Sequence, residues 1–314
     1  MMRRKNNLKR GARPATLLIA TVLILLLLPL QAFSKPPAQA GETWDGRRIM
    51  EEGFKRHELF PYVFEEQTMV LLDGAGNRDV RKMRRFTRVE TDGTVKFLLV
   101  FDNPAEVRGV ALLAVRQRSG TLETGIYLPA FGKEIKSTEG KNRSNPFLGT
   151  DFAVEDLTTE ALADFNYVRK EDRKLDKIPF FVVEAFPKNA EIEQTTGYSL
   201  CRHFIRQDNF FIVRTDYYDP RGRFLKRKTH HDLKSVGDGM WRSNMILMEN
   251  HKARHSTLIK IDRRVFSRDY VPSEIFTTEW LLSDRHVQDT EKRLYQKASR
   301  SSKEIDTKAQ KNTH

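Results

Sequence analysis

The chain has one cysteine, Cys201, in 314 residues. It therefore has no internal disulfide, and the fold must stand on its buried core. The same scarcity removes multi-thiolate zinc sites, and no His-Glu-x-x-His stretch replaces them. Histidine is thin as well, with eight residues in all. Its dense spots are His230-His231-Asp232 and the pair His251 and His255. On a strand His230 and His231 point to opposite faces, and the other pair spans a turn. Structural or surface roles are expected for both, with no metal and no cofactor. Gly-x-Ser-x-Gly is absent, and Cys201 in "GYSLCRHFIR" reads as a packed strand residue rather than a nucleophile.

Long apolar runs are also rare, and the exception is informative. Residues 1–14 carry six cations (Arg3, Arg4, Lys5, Lys9, Arg10 and Arg13) and no acid. The apolar run Ala15–Phe33 follows, and then small-residue patterns at Ala32-Phe33-Ser34 and Ala38-Gln39-Ala40. Basic start, apolar middle and small-residue end describe a secretory signal peptide over residues 1–40, with an uncleaved anchor as the alternative. Of the net charge of +13, six units stand in residues 1–14, which leaves +7 for the rest of the chain. Acids and bases alternate through that remainder, as on a solvated surface, and no nucleic-acid partner is expected. Residues 289–314 are polar with almost no large apolar groups, and read as a disordered tail.

Between leader and tail, about 245 residues suffice for one large core. "TWDGRRIMEEGFKRH", 43–57, has near-helical apolar spacing, with Thr43 or Asp45 as cap. From Pro61 the period changes to two. Segments such as "YVFEEQTMVLLD", "TVKFLLVF", "VALLAV", "IPFFVVEAF", "YSLCRHFIR", "FFIVRTDYYD" and "MWRSNMILMEN" read as strands joined by short turns. "RDVRKMRRFTRVE" is so basic that it reads as an edge strand. "VPSEIFTTEWLL", 271–282, reads as a closing helix, with Pro272 in its first turn and Ser273 as cap candidate. The expected class is mainly β with few helices (α+β), one large antiparallel sheet or barrel. Several strands are apolar on both faces, so the sheet needs two covers.

The stretch "SNPFLGTDFAVEDL", 144–157, sets three carboxylates among large apolar groups. If it turns helical after Asp151, then Asp151 and Glu155 lie four apart on one face. Acid/base catalysis by that pair competes with a plainer reading, a short helix whose acids cap and orient its first turn. Phe147, Leu148, Phe152 and Leu157 stand in a segment too short for its own core, as expected of a docked lid.

"FLLVFDNPAEVRGVALLAV", "IYLPAFGKEIKS" and "NPFLGTDFAVEDL" together resemble the LolA-like family of outer-membrane lipoprotein-sorting proteins, in the branch associated with RND/MMPL-type transporters. The matching elements are Phe101 to Pro104, Gly109, Tyr127 to Ala130, and Gly149 to Leu157. "MILMENHKARHSTLIKIDRRVFSRDYVPSEIFTTEWL" resembles the family's C-terminal strands and closing helix. The resemblance implies a curved antiparallel half-barrel covered by short helices, forming a single lipid-binding domain over 41–288. It implies an exported carrier in the periplasm or cell envelope that binds acyl chains of a lipid or lipoprotein, works with an RND/MMPL-type inner-membrane transporter, and is not an enzyme. The alternative is a non-enzymatic envelope sensor or scaffold on the same fold. Expected cavity residues are Phe97, Leu99, Phe211, Val213, Tyr217, Trp241, Met245 and Leu247. Expected lid residues are Phe147, Leu148, Phe152 and Leu157, with Asp151, Glu155 and Asp156 capping the lid.

Overall fold

Period-two alternation becomes strand along most of the chain. A computed structural model describes residues 44–58, 60–131, 134–137 and 144–288. The expected leader at 1–40 and tail at 289–314 lie outside them. The first half of the sheet is β1 (Tyr62–Leu72), β2 (Arg78–Val89), β3 (Val95–Asn103), β4 (Ala111–Arg116), β5 (Leu122–Leu128) and β6 (Glu134–Ser137). The second half is β7 (Phe165–Leu175), β8 (Ile178–Pro187), β9 (Leu200–Arg206), β10 (Ile212–Tyr218), β11 (Phe224–Gly237), β12 (Met240–Asn250) and β13 (His255–Val265). The strand order is β6-β5-β4-β3-β2-β1-β13-β12-β11-β10-β9-β8-β7. Every pairing is antiparallel. The chain thus starts mid-sheet, meanders out to one edge, crosses to the other edge, and meanders back to close beside β1.

The sheet stays open, with β6 and β7 as its edges, and it is strongly curved. Adjacent residues Glu155 and Asp156 bond to Arg116 on β4 and Lys226 on β11. Those strands are six steps apart in the order. In a flat sheet six steps span about 29 Å. Only a sheet that wraps around the 144–164 crossover brings both to one short segment. One apolar cluster accordingly unites Met83, Phe97, Leu99, Leu112, Ala185, Cys201 and Met248 with crossover residues.

Two covers close the two faces. On the concave side lies α1 (Gly46–His57), capped by Asp45, whose Oδ1 accepts from Arg48 N at 2.8 Å. Its buried stripe is Gly46, Ile49, Met50, Gly53 and His57, the i, i+3, i+4, i+7 pattern of one helix face. Gly53 lets the backbones touch: a Cβ there would stand 2.8 Å from the Phe210 carbonyl oxygen. The outer face carries Phe64, Phe86, Leu98, Val100 and Tyr127, covered by Val271, Ile275, Phe276 and Leu281.

The closing segment differs from one continuous helix. It is a 3-10 turn, Ser273–Phe276, followed by α4 (Thr278–Leu282). Thr277, not Ser273, caps α4, its hydroxyl accepting from Trp280 N at 3.2 Å. Among the described residues the other α-helices are α2 (Val154–Leu157) and α3 (Ala190–Thr196), the latter beyond what the sequence pattern predicts. Among the described residues no helix is long and apolar enough to cross a membrane.

The basic strand β2 is not an edge; it lies between β1 and β3. Three of its arginines, Arg81, Arg84 and Arg88, are buried because each finds oxygens. Arg81 binds Asp79 and the Leu148 carbonyl, Arg84 binds Asp102 and the His286 carbonyl, and Arg88 binds Glu90 and the Val271 carbonyl. A guanidinium with five donors tolerates burial when its surroundings satisfy it.

Candidate functional site: the crossover and the cavity beneath it

The crossover runs from one sheet edge to the other across the concave face. It opens with a tight turn, Phe147–Gly149, in which Leu148 has φ 49° and Gly149 φ 73°. Phe147 N then bonds the Phe152 carbonyl at 2.8 Å, so the segment folds back on itself. The turn drives Phe147 and Phe152 into the concave core, where each is 2% exposed. Leu157 joins them, and Leu148 packs against the same cluster. The four expected lid residues are thus brought together on the concave face.

The three acids of this segment do not act mainly as caps. The N-cap of α2 is Ala153, which has no side-chain acceptor. Only Asp156 serves the helix start, its Oδ2 accepting from Ala153 N at 2.7 Å. The acids instead tie the crossover to separate strands. Asp151 Oδ2 accepts from His255 Nδ1 at 2.6 Å and Thr257 Oγ1 at 2.8 Å, both on β13. Asp156 meets Lys226 Nζ on β11 at 2.5 Å and accepts from Tyr198 Oη at 2.8 Å. Glu155 meets Arg116 Nη2 on β4 at 3.2 Å. Lys226 also donates to the Asp151 carbonyl at 2.9 Å, and Arg81 Nη1 to the Leu148 carbonyl at 2.8 Å. Asp151 and Glu155 are drawn from the helix terminus by partners on the sheet, and Asp156 serves both the helix start and Lys226; charge-assisted bonds of this kind are the stronger ones.

Beneath the crossover and beside α1 lies a cavity of about 230 Å³. Phe152, Leu157, Phe211, Tyr217 and Ile246 supply apolar wall. Of the expected cavity residues, Phe211 and Tyr217 line it, while Phe97 and Leu99 lie in the core cluster beneath the crossover. Four others do not reach the concave cluster or the cavity. Val213 packs on the opposite face with Phe180, Val182 and Phe204. A register irregularity between Ile212 and Arg214 reverses its direction. Trp241, Met245 and Leu247 belong to the odd-numbered set of β12, whereas Ile246 and Met248 face the core. In a strand apolar on both sides, alternation leaves the inward face undecided, and a one-residue offset exchanges the two sets.

The cavity also has polar lining, which the sequence reading did not anticipate: His57, Arg85, Glu160, His203, Lys228 and His230. Burial pulls the pKa of His203 down, and burial with the neighbouring Lys228 charge pulls that of His230 down to about 3. His57 is likewise depressed by burial. Its Nε2 donates to the Asn209 carbonyl at 2.9 Å while Nδ1 accepts from Trp241 N at 3.2 Å, which fixes a neutral tautomer. Burial raises the Cys201 thiol well above its ordinary pKa, and the nearby Glu160 and Asp156 charges add to this. Such a thiol is unreactive. Among the described residues there is no cluster of three or more His, Cys, Asp or Glu side chains suited to a metal ion.

Known proteins share the fold. The model of a family described as an uncharacterized protein matches residues 93–283, more than half of the chain. No curated protein is significantly similar. Among solved structures, an outer membrane lipoprotein-sorting protein domain, so described, from Vibrio parahaemolyticus is 26% identical with a TM-score of 0.70; the match covers 76% of this chain and 98% of that one. A DUF1329 family protein from Desulfovibrio piger is 22% identical with a TM-score of 0.66, over 74% and 98% of the two chains. A LolA superfamily protein from Nitrosomonas europaea shares the fold at 16% identity and a TM-score of 0.59, over 76% and 99%.

Proposed function

The chain belongs to the DUF1329 family and has the open LolA-like fold, and on that premise we propose that it is an exported carrier that holds acyl chains of a lipid or lipoprotein beneath the crossover. One observation carries this reading. The concave face of the sheet is covered by a few large apolar side chains on a segment with only one short helix, directly above a cavity. Each of Phe147, Phe152 and Leu157 kept from water is worth about 1.5 to 3 kcal/mol. An acyl chain supplies apolar contacts of the same kind, so it offsets the apolar part of displacing the segment, while the strand anchors hold the segment near the sheet. Phe97, Leu99, Phe211 and Tyr217, with Ile246 and Met248, are the surfaces offered to the chain, and the two-faced Met248 region suits varied ligands.

The same reading makes residues 1–40 a leader that exports the chain to the periplasm or envelope, residues 41–288 one lipid-binding domain, and an RND/MMPL-type inner-membrane transporter its partner. It assigns no catalysis: the acids that most resemble a catalytic pair are occupied as anchors. The likeness to a lipoprotein-sorting domain supports a lipid or lipoprotein as ligand class.

The test is native mass spectrometry of protein purified from cells expressing the full chain, followed by organic extraction. A co-purifying acyl species is expected. A protein that is empty and also fails to take up a fluorescent fatty-acyl probe would overturn the carrier reading in favour of an envelope sensor or scaffold.

A further inference from the structure

The cavity is unevenly charged. Its acids are already engaged or exposed: Glu155 by Arg116, Asp156 by Lys226, Glu160 by the Tyr167 hydroxyl at 2.7 Å, and Glu58 at the surface. Its cations are not. Among the described residues Arg85 and Lys228 line the cavity and take part in no hydrogen bond or ion pair; Arg85 lies over the Phe97 ring and Lys228 over the Tyr217 ring. Glu65 stands directly across from Arg85 in the β1–β2 ladder and feels its charge, but the hydrogen bonds of its carboxylate go to Arg264 at 2.6 Å and to Gln67 at 2.6 Å, not to Arg85.

Arg85 and Lys228 both lie within electrostatic reach of His230, which lines the same cavity, and two further features bear on them. Burial and the nearby Arg264 and Arg85 charges lower the Arg242 pKa, against the opposing pull of Glu58. Arg242 Nη1 donates to the Trp241 carbonyl at 2.9 Å. His203 lines the cavity at 3% exposure with Nε2 lacking a hydrogen-bond partner; Nδ1 meets Thr215 Oγ1 at 3.1 Å, and Glu160 Oε2 lies 3.5 Å from Nε2. Cations gathered out of bulk water repel one another and give up hydration. An arriving anion relieves both costs at once, and a guanidinium fork over an apolar ring is well matched to a carboxylate or phosphate.

We infer that the polar end of this cavity is a subsite for an anionic group, carboxylate or phosphate, borne by the acyl ligand, and that Arg85 and Lys228 bind it. The inference rests on the carrier reading and sharpens it: the cargo is an anionic lipid with its chain under the crossover and its charge on the strand cations.

The experiment compares dodecyl phosphate, dodecanol and inorganic phosphate for displacement of a fluorescent acyl probe, in the parent protein and in R85Q/K228Q, with thermal unfolding as the folding control. The parent should bind dodecyl phosphate at least about tenfold more tightly than dodecanol, as a charge-assisted bond provides. In R85Q/K228Q that ratio should fall toward one. Equal affinity of the parent for the two amphiphiles overturns the inference and leaves the carrier reading intact. Binding of neither amphiphile overturns the carrier reading itself. Displacement by inorganic phosphate as effective as by dodecyl phosphate overturns the lipid assignment in favour of a free anion. If the double variant does not fold, the parent's phosphate-to-alcohol ratio, and its decline at high salt, decide the question.

Discussion

Lys226 joins two points of the crossover, the Asp156 carboxylate and the Asp151 carbonyl, and is 5% exposed. Lys226→Met should leave Asp156 buried without its cation, at a cost of about 3 to 5 kcal/mol. Asp156→Asn combined with Lys226→Met should cost clearly less than the sum of the single changes, and a urea-denaturation cycle measures the difference. Additive losses would mean that the pair is not coupled. The buried histidines set a pH limit at the same scale. His57, His203, His230 and His286 all have lowered pKa values, burial being the first cause in each. Unfolded histidine takes its proton near pH 6.5, so below that pH the unfolded chain binds more protons. Their stabilising effect is complete above about pH 6.5 and is lost as the pH falls toward the folded values, about 3 for His230. The carboxylate pKa values that shift downward, such as Glu90 at about 2 through its bond with Arg88, act only below about pH 4.5. The unfolding free energy should therefore drop between pH 7 and pH 5, with a slope that approaches roughly 1.4 kcal/mol per pH unit below about pH 6.5 for a histidine held fully neutral. His230→Gln should reduce that drop, and an unchanged slope would remove His230 from the account.

Among the elements, α1 and the crossover divide the concave face between them, and they are held differently. The helix presses its backbone against the sheet at Gly53. Gly53→Ala improves helix propensity by up to about 1 kcal/mol, yet the added methyl meets a carbonyl that cannot retreat without moving the strand end. A net loss of about 1 to 3 kcal/mol in chemical denaturation is expected, and a gain in stability would show that the helix has slack. The crossover depends on fewer apolar contacts and on several strand anchors. Phe152→Asp places a carboxylate where the ring is 2% exposed. Amide exchange across residues 146–158 should rise at least about tenfold, with less acyl species retained on purification. Unchanged exchange and unchanged retention would exclude this segment as a lid.

At the scale of the molecule, curvature makes the site, because a flat sheet of thirteen strands could not bring Arg116, Lys226 and His255 to one hexapeptide. If the crossover yields to an acyl ligand, addition of dodecyl phosphate should speed exchange at 146–158 while β1, β2 and β13 at the sheet centre stay protected. Slower exchange across the crossover would instead mean that the ligand binds beneath a segment that remains closed. The open edges β6 and β7 are also a whole-molecule property. β7 carries "RKEDRK" from Arg169 to Lys174, a charge run that discourages edge pairing with another sheet.

Much of this was legible in the sequence. Alternation located most of the strands, the doubly apolar strands required two covers, and the apolar quartet of the crossover had to dock because it could not form a core alone. Those features depend on local pattern and on the cost of exposed apolar surface, both of which are carried by short stretches of chain. The inward face of β12 was not legible: Met245 and Leu247 look as suitable as Ile246 and Met248, and only the pairing register selects the latter. Nor were the burial of the β2 arginines, the anchoring of Asp151 and Glu155, or the gathering of Arg85, Lys228 and His203 at one cavity. Each depends on partners from distant parts of the chain, 39 residues away for Arg116 and Glu155 and 202 for Arg84 and His286. Most of the strands, the need for covers and the segment that docks follow from local pattern, because periodicity and hydrophobicity act over short stretches of chain. Tertiary structure alone decided which face is the cavity and which charges meet there, because the curvature of the sheet sets those distances.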